Sequence, residues 1–279
     1  MTPPRSQLYV PGDRADRLAK ASGRGADALI IDLEDSVPSQ AKPAARRIVA
    51  QWLSNGAPPL IPIWIRVNSG YERELDLEAI SSAPNLTGLV LAKTENVSDV
   101  EDVARVLSTT GSTLRLAPLV ESAAGVCAVN AIAAGPRVEF LHLGELDLAA
   151  DLGMSPSRDG AELSYARSAL VIASRAAGIE PPVAPVEPNI DDLEHFRTTT
   201  EAMSRMGFVG RACIHPAQVT VANAVFTPDP DEVASARELL DQFDARGAGR
   251  DASGRMVDEA VLRRARRVIA AAAAWPTTE

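Results

Sequence analysis

Eight short, β-rich apolar runs alternate with eight longer helical patterns along most of the chain, and this alternation restricts the fold more than any other feature. The strand-like runs are Gln7–Val10, Ala28–Leu33, Ile63–Val67, Gly88–Leu91, Arg115–Val120, Val138–Leu143, Val183–Val186 and Arg211–Ile214. Several are nearly continuous in apolar residues, as in Ala28-Leu29-Ile30-Ile31, the pattern of strands covered on both faces. Helical patterns fall at Asp13–Ala21, Ala41–Leu53, Leu75–Ser81, Val97–Leu107, Gly125–Ala134, Glu162–Ala177, Asp191–Met206 and Gln218–Phe226. Ser98-Asp99 with Glu101 supplies one acidic helix start. Eight is the number at which a parallel sheet closes into a (β/α)8 TIM barrel, although an open doubly wound sheet explains the alternation equally well.

A chain of 279 residues, 46% of them hydrophobic, suits one such barrel with an addition. The pattern changes after Phe226. Thr227-Pro228-Asp229-Pro230 is turn-and-cap chemistry, Glu232–Ala245 reads as an added helix, Arg246–Ser253 as a glycine-rich charged loop, and Glu259–Trp275 as a final helix. The expected division is a catalytic barrel over residues 1–227 and a C-terminal helical extension over 228–279, serving as lid or oligomer arm.

Dinucleotide and P-loop readings are weak. No G-x-G-x-x-G follows an early strand, and no G-x-x-x-x-G-K-[ST] occurs. The net charge of −9 and a pI near 5.0 argue against a nucleic-acid surface, so an anionic substrate needs a local cationic cluster or a metal. No apolar run is long enough for a membrane span, and no signal-peptide core follows Met1; a soluble cytoplasmic protein is the expectation. The two cysteines, Cys127 and Cys213, lack metal or redox spacing.

Polar residues cluster where the strand-like runs end. Asp32, Glu34 and Asp35 close the second, Arg66 and Asn68 the third, Lys93 the fourth, Glu121 and Ser122 the fifth, Glu145 and Asp147 the sixth, and His215 the eighth. Barrel enzymes build their sites at these carboxyl ends. Glu121 and Asp147, from successive strands and with no soft donor nearby, suit a hard ion such as Mg²⁺, or else each merely caps its following helix. Arg66 at the end of an apolar strand either meets a substrate carboxylate or enolate oxygen, or sits in a buried ion pair with Glu34 or Asp35. Lys93 raises a Schiff-base alternative, but Glu95 nearby favours a charged lysine paired to a carboxylate or phosphate. His142, between Leu141 and Leu143, reads as a satisfied core histidine, and Cys213 as buried packing.

These residues lie in stretches that together resemble the HpcH/HpaI aldolases, in their citrate lyase β-subunit-like branch. The stretches are Tyr9-Val10-Pro11-Gly12-Asp13-Arg14, Asp32-Leu33-Glu34-Asp35-Ser36-Val37, Lys42-Pro43-Ala44-Ala45-Arg46, Arg66-Val67-Asn68, Glu121-Ser122-Ala123, Asp147-Leu148-Ala149, Cys213–Gln218 and Gly254-Arg255-Met256-Val257-Asp258. The resemblance implies a (β/α)8 barrel, commonly a homotrimer or hexamer, that uses Mg²⁺ to stabilise an enolate in Claisen- or aldol-type cleavage. It implies that Glu121 and Asp147 ligate the metal, with Glu121 also beside the substrate. Arg66 would orient substrate oxygens, Glu34 and Asp35 would hold metal-bound waters, and Asp258 would be an acid/base carried by the arm into a neighbouring subunit. Lys42, Arg46 and the Cys213–Gln218 loop with His215 would line the coenzyme A side. The chain departs from the family pattern at Ala124, where an arginine is usual, at Glu145-Leu146, at Ala92 and at Ala260. Malyl-, citramalyl- or hydroxymethylglutaryl-type CoA thioesters are the substrates this implies. Alternatives are a β subunit of a multi-component citrate lyase, a pyruvate-dependent class II aldolase without CoA, and a non-catalytic acyl-CoA-binding barrel.

Overall fold

The computed structural model describes residues 3–55, 61–246, 249–250 and 256–275. Eight parallel strands close a barrel in sequence order: β1 (Ser6–Pro11), β2 (Ala28–Asp32), β3 (Ile63–Val67), β4 (Gly88–Leu91), β5 (Arg115–Val120), β6 (His142–Leu143), β7 (Val183–Ala184) and β8 (Gly210–Cys213). Pairing of β1 with β8, Ser6 opposite Arg211, seals the ring and rules out the open sheet. Around it lie α1 (Ala15–Ala21), α2 (Lys42–Asn55), α3 (Gly70–Ile80), α4 (Val97–Thr109), α5 (Ala123–Ala133), α6 (Glu145–Asp151), α7 (Ser164–Ala177), α8 (Leu193–Met206) and α9 (Pro216–Phe226).

The interior is filled by alternate strand residues, among them Ile30, Trp64, Val90, Leu119, Phe140 and Val183, all buried. Trp64 and Phe140 meet with ring centroids 4.8 Å apart. Gly88 makes room for that indole: a Cβ there would fall 2.3 Å from Trp64. Burying these side chains removes large apolar area from water, at roughly 25 cal/mol per Å².

Four points of the expected elements need correction. The expected strand Val138–Leu143 is regular only at its end, because one extra residue separates the Leu116–Val138 bridge from the Leu119–His142 pair. Pro118 lies at this bulge and has no N–H for a ladder. The third helix begins at Gly70, five residues earlier than expected, where a φ of 58° turns the chain into its first turn. Glu145–Asp151, with no helical pattern legible, forms α6. The fourth helix is capped by Asn96 in a capping box with Asp99, two residues before Ser98.

The chain divides into two compact units, Pro3–Asn223 and a second that takes in Ala224–Glu279. In the second, α10 (Pro230–Arg246) packs against α11 (Glu259–Ala274), and β9 (Gly249–Arg250) pairs antiparallel with β10 (Met256–Val257). Where a loop was expected over Arg246–Ser253, Arg246 ends α10 and Gly249–Arg250 form a short strand; residues 247–248 and 251–253, and Gly254-Arg255 of the family stretch, lie outside the described residues. Among the described residues no helix is long and apolar enough to cross a membrane.

Candidate active site

A cavity of ≈ 840 Å³ opens at the carboxyl ends of the barrel strands. Asp32, Asp35, Arg66, Glu121, Asp147 and His215 all border it, so strand ends scattered in sequence converge on one space. That volume lies within the range of small-molecule sites.

On the β2–β3–β4 side the charges neutralise one another. The Arg66 guanidinium forks onto Asp32, with Nε 2.7 Å from Oδ1 and Nη2 2.7 Å from Oδ2. Its remaining nitrogen lies 3.1 Å from Glu34 and 3.4 Å from Asp35. Burial works against the Asp32 charge, but the Arg66 hydrogen bonds and charge outweigh it and hold the carboxyl below its ordinary range. The same contacts raise the Arg66 pKa despite burial. An arginine–carboxylate ion pair was one sequence reading, with the wrong main partner: Asp32 is two residues earlier than expected. Glu34 also accepts from Lys93 Nζ at 2.7 Å. Burial, then the adjoining Asp35, pushes the Glu34 carboxyl up. The Glu34 hydrogen bond comes first among the causes that raise the Lys93 pKa. A lysine so held is protonated, which removes the Schiff-base alternative.

The β5–β6 side is different. Ser122, not Glu121, caps α5 by accepting from Gly125 N, which leaves the Glu121 carboxylate free for the cavity. Glu121 is 5% exposed and accepts from the Lys93 backbone N–H at 2.7 Å. Lys93, which donates that N–H, has a left-handed backbone with φ 54°. Burial pushes the Glu121 pKa up to about 8 against the Lys93 bond, helped by Asp147 and Glu34. Gly144 permits the close approach, since a Cβ there would fall 2.7 Å from the Glu121 Oε2. Asp147 is exposed in the first turn of α6, where the helix dipole favours an anion.

The short α6 is anchored at both ends. Glu145 forms a bidentate pair with Arg167, at 2.5 and 2.9 Å, and Asp151 accepts from Ala123 N at 2.8 Å. Sequence reading missed both Arg167 and Asp151, because their partners are distant along the chain.

No group of three or more His, Cys, Asp or Glu side chains converges as a metal cage among the described residues. Two carboxylates on one side of a cavity, with a shared deficit of positive charge and oxygen donors alone, nevertheless fit Mg²⁺, which keeps several waters or substrate oxygens.

Other expected site residues fall elsewhere. Lys42 Nζ is taken up by Leu33 O, Glu34 O and Asn68 Oδ1 at 2.9, 2.8 and 2.6 Å. Arg46 is buried against Asp76, with Nε 2.7 Å from Oδ1, and against Glu72. Neither borders the cavity, so the expected role of both on the coenzyme A side finds no support: both cations tie α2 to β2, β3 and α3. Cationic side chains do border it on the α1 side, where Arg17, Lys20 and Arg24 are exposed and form no ion pair among the described residues. Their spacing puts them on one helical face, a signal legible in the sequence but not taken up. His215 is exposed at the cavity edge, its Nδ1 accepting from Ala217 N at 3.2 Å. His142 is buried as expected but not satisfied, because its Nε2 has no hydrogen-bond partner among the described residues. Burial and the Arg66 charge pull its pKa down to about 3. Cys213 is buried packing. Asp258 belongs to the second unit, where it caps α11 by accepting from Ala260 N and Val261 N.

A closed eight-strand barrel with paired carboxylates and a fixed guanidinium at its carboxyl mouth defines a class of enzyme that stabilises oxyanions. The chain belongs to the HpcH/HpaI aldolase/citrate lyase family, whose pattern matches residues 5–216. It is 35% identical over 273 residues to a citrate lyase subunit beta-like protein of Deinococcus radiodurans, covering 95% of this chain and 96% of that one. It is 31% identical over 297 residues to an L-malyl-CoA/beta-methylmalyl-CoA lyase of Rhodobacter capsulatus, covering 95% and 93%. Among solved structures, protein CitE from Mycobacterium tuberculosis in complex with magnesium, acetoacetate and coenzyme A superposes with a TM-score of 0.81 at 32% identity, over 96% of this chain and 97% of that one.

Proposed function

We propose that this protein is a Mg²⁺-dependent carbon–carbon lyase that cleaves or forms a 3-hydroxyacyl-CoA thioester of the malyl, citramalyl or hydroxymethylglutaryl type. The observation that carries this reading is the cavity itself. It joins an anion-rich, cation-seeking end at Glu121 and Asp147 to a row of unpaired cations at Arg17, Lys20 and Arg24. A short 2-oxo acid needs only the first end; a coenzyme A ester, with its phosphates, uses both. This favours a CoA substrate over a pyruvate aldolase without CoA, and retention of the charged mouth argues against a non-catalytic barrel.

Mg²⁺ bound through Glu121 and Asp147 supplies Lewis-acid polarisation of substrate oxygens. Arg66, fixed by Asp32, presents its guanidinium edge beside the thioester. Glu34 and Asp35 flank Arg66 and hold waters at the mouth. Cleavage removes the proton of the C3 hydroxyl, breaks C2–C3 and moves that electron pair into the thioester as an enolate. Asp258, from a neighbouring subunit, exchanges the proton. That role requires a homo-oligomer, a trimer or hexamer with shared sites, in which residues 228–279 form the arm. A CoA thioester substrate also accords with the expected cytoplasmic location.

Purified protein assayed on these three thioesters, with Mg²⁺ and with chelator, should release acetyl-CoA and an oxo acid (a 2-oxo acid from the malyl and citramalyl esters, a 3-oxo acid from the hydroxymethylglutaryl ester) only with the metal. Turnover unaffected by chelation, or activity only with an acyl-carrier protein as in a multi-component citrate lyase, would sink the proposal. Mixed Asp258→Asn and Glu121→Ala subunits should regain activity if the arm is shared; verified hybrids without recovery would exclude it.

A further inference from the structure

Alternation along β1 turns Gln7 and Tyr9 into the barrel, and Tyr9 is the one that reaches the cavity. Its ring lies beneath the guanidinium of Arg66, 5.1 Å from centroid to carbon, a cation–π contact that fixes the plane of both groups. The phenol hydroxyl makes no hydrogen bond among the described residues. Unlike the side-chain amide of Gln7 and the Nε2 of His142, which are unpartnered and sealed from solvent, it does not fall among the sealed unpartnered atoms. A half-buried hydroxyl of this kind opens on the cavity and is short of an acceptor. Burial raises its pKa, so it keeps its proton.

Barrel topology says what would meet it. In an eight-strand ring β1 stands opposite β5, which carries Glu121, and α1 with its cation row directly follows β1. A ligand that stretches from Arg17, Lys20 and Arg24 to Glu121 therefore crosses the tip of β1. Between its phosphates and its hydroxy-acid end run the pantetheine arm and then, next to the hydroxy acid, the thioester.

Resting on the function proposed above, we infer that Tyr9 is a further catalytic residue, whose hydroxyl donates a hydrogen bond to the thioester oxygen beside Arg66. When C2–C3 breaks, the electron pair passes through C2 and C1 to that oxygen. The hydroxyl-to-oxygen bond is then stronger than in the ground state, and only such a difference accelerates the step. No proton need leave Tyr9, since C2 is protonated elsewhere to give the acetyl thioester.

The test separates hydroxyl from ring. Tyr9→Phe keeps the ring under Arg66, and Tyr9→Leu removes it. Two readouts serve: kcat and KM for thioester cleavage, and Mg²⁺-dependent exchange of the acetyl-CoA methyl protons with deuterated water, which reports enolate formation without bond cleavage. Tyr9→Phe should lower kcat and the exchange rate together by about 10²-fold, the scale of losing one oxyanion donor, with KM and melting temperature little changed. Full kcat and exchange in Tyr9→Phe, with loss only in Tyr9→Leu, would reduce Tyr9 to a prop for Arg66 and overturn the inference. A rise in KM alone would overturn it too, since that is uniform binding. Wild-type protein that neither cleaves nor exchanges defeats the proposed function, and this inference falls with it; an active wild type with an unimpaired Tyr9→Phe defeats the inference alone.

Discussion

The two halves of the barrel mouth are built from the same kinds of residue and are electrostatically unlike. Over β2 to β4, Arg66 and Lys93 stand among Asp32, Glu34 and Asp35, and the acidic groups find partners within 2.7 to 3.7 Å. Over β5 and β6, Glu121 and Asp147 lie together with no ion pair among the described residues, and Glu121 accepts a hydrogen bond from the Lys93 backbone N–H. The first half is complete without a ligand and serves to hold Arg66. In the second, burial and the neighbouring Asp147 work against the Glu121 charge, which a bound cation would offset. This contrast is a physical division of labour: one half is preorganised, and the other is a vacancy for positive charge.

The largest expected effects fall on the second half. Glu121→Gln and Asp147→Asn should each lose measurable Mg²⁺ binding in calorimetric titration. Several kcal/mol of transition-state stabilisation would go with the metal, a fall in kcat of about 10³-fold. Metal-free melting temperature should not fall in either variant, because each relieves like-charge repulsion. A variant that keeps wild-type Mg²⁺ affinity would erase the contrast.

Asp32→Asn should show the converse. It leaves Arg66 buried without its main partner, and breaking such a pair costs about 3–5 kcal/mol in denaturant unfolding. Mg²⁺ binding should survive in the folded fraction. An Asp32→Asn protein as stable as the wild type would mean that Glu34 and Asp35 suffice to hold Arg66.

The smallest effect is on pH, and its sign differs between the halves. Asp32 has a folded pKa below its unfolded value of about 3.9. Its contribution is therefore complete above that value and is lost as pH falls toward the folded pKa. Glu121 is raised to about 8 from an unfolded value near 4.3, so its contribution is complete below about 4.3 and is lost as pH rises through about 8. Metal-free protein should thus lose stability between about pH 5 and 8 in thermal melts, and Glu121→Gln should flatten that slope. Identical slopes in the two proteins would show that Glu121 ionises freely and needs no cation.

Much of this is legible in the sequence. Ala28–Leu33 and Ile63–Val67 read as strands because both faces are apolar, and the polar residue ending each strand marked the mouth. Legibility failed where a partner lies far off in the chain. Lys42 and Arg46 are cations in a stretch that resembles a coenzyme A site, yet Asn68, Glu72 and Asp76 claim them from α3 and the end of β3. Tyr9 belongs to a stretch that resembles the family, yet nothing local in the sequence gives it a role or says that its ring lies under Arg66.

What the sequence by itself determined is therefore the periodicity: eight apolar runs, their helical spacers, and which residues stand at strand ends. Those follow from local sterics and from the burial of alternating side chains, both of which act over a few residues. Only the tertiary structure decided which charges meet. Closure of β1 on β8 sets β1 opposite β5, the β2–β3 register puts Arg66 beside Asp32, and Glu121 and Asp147 are left together with no ion pair among the described residues. Coulomb and hydrogen-bond energies depend on separation in space, and spacing along the chain does not set that distance until the barrel closes.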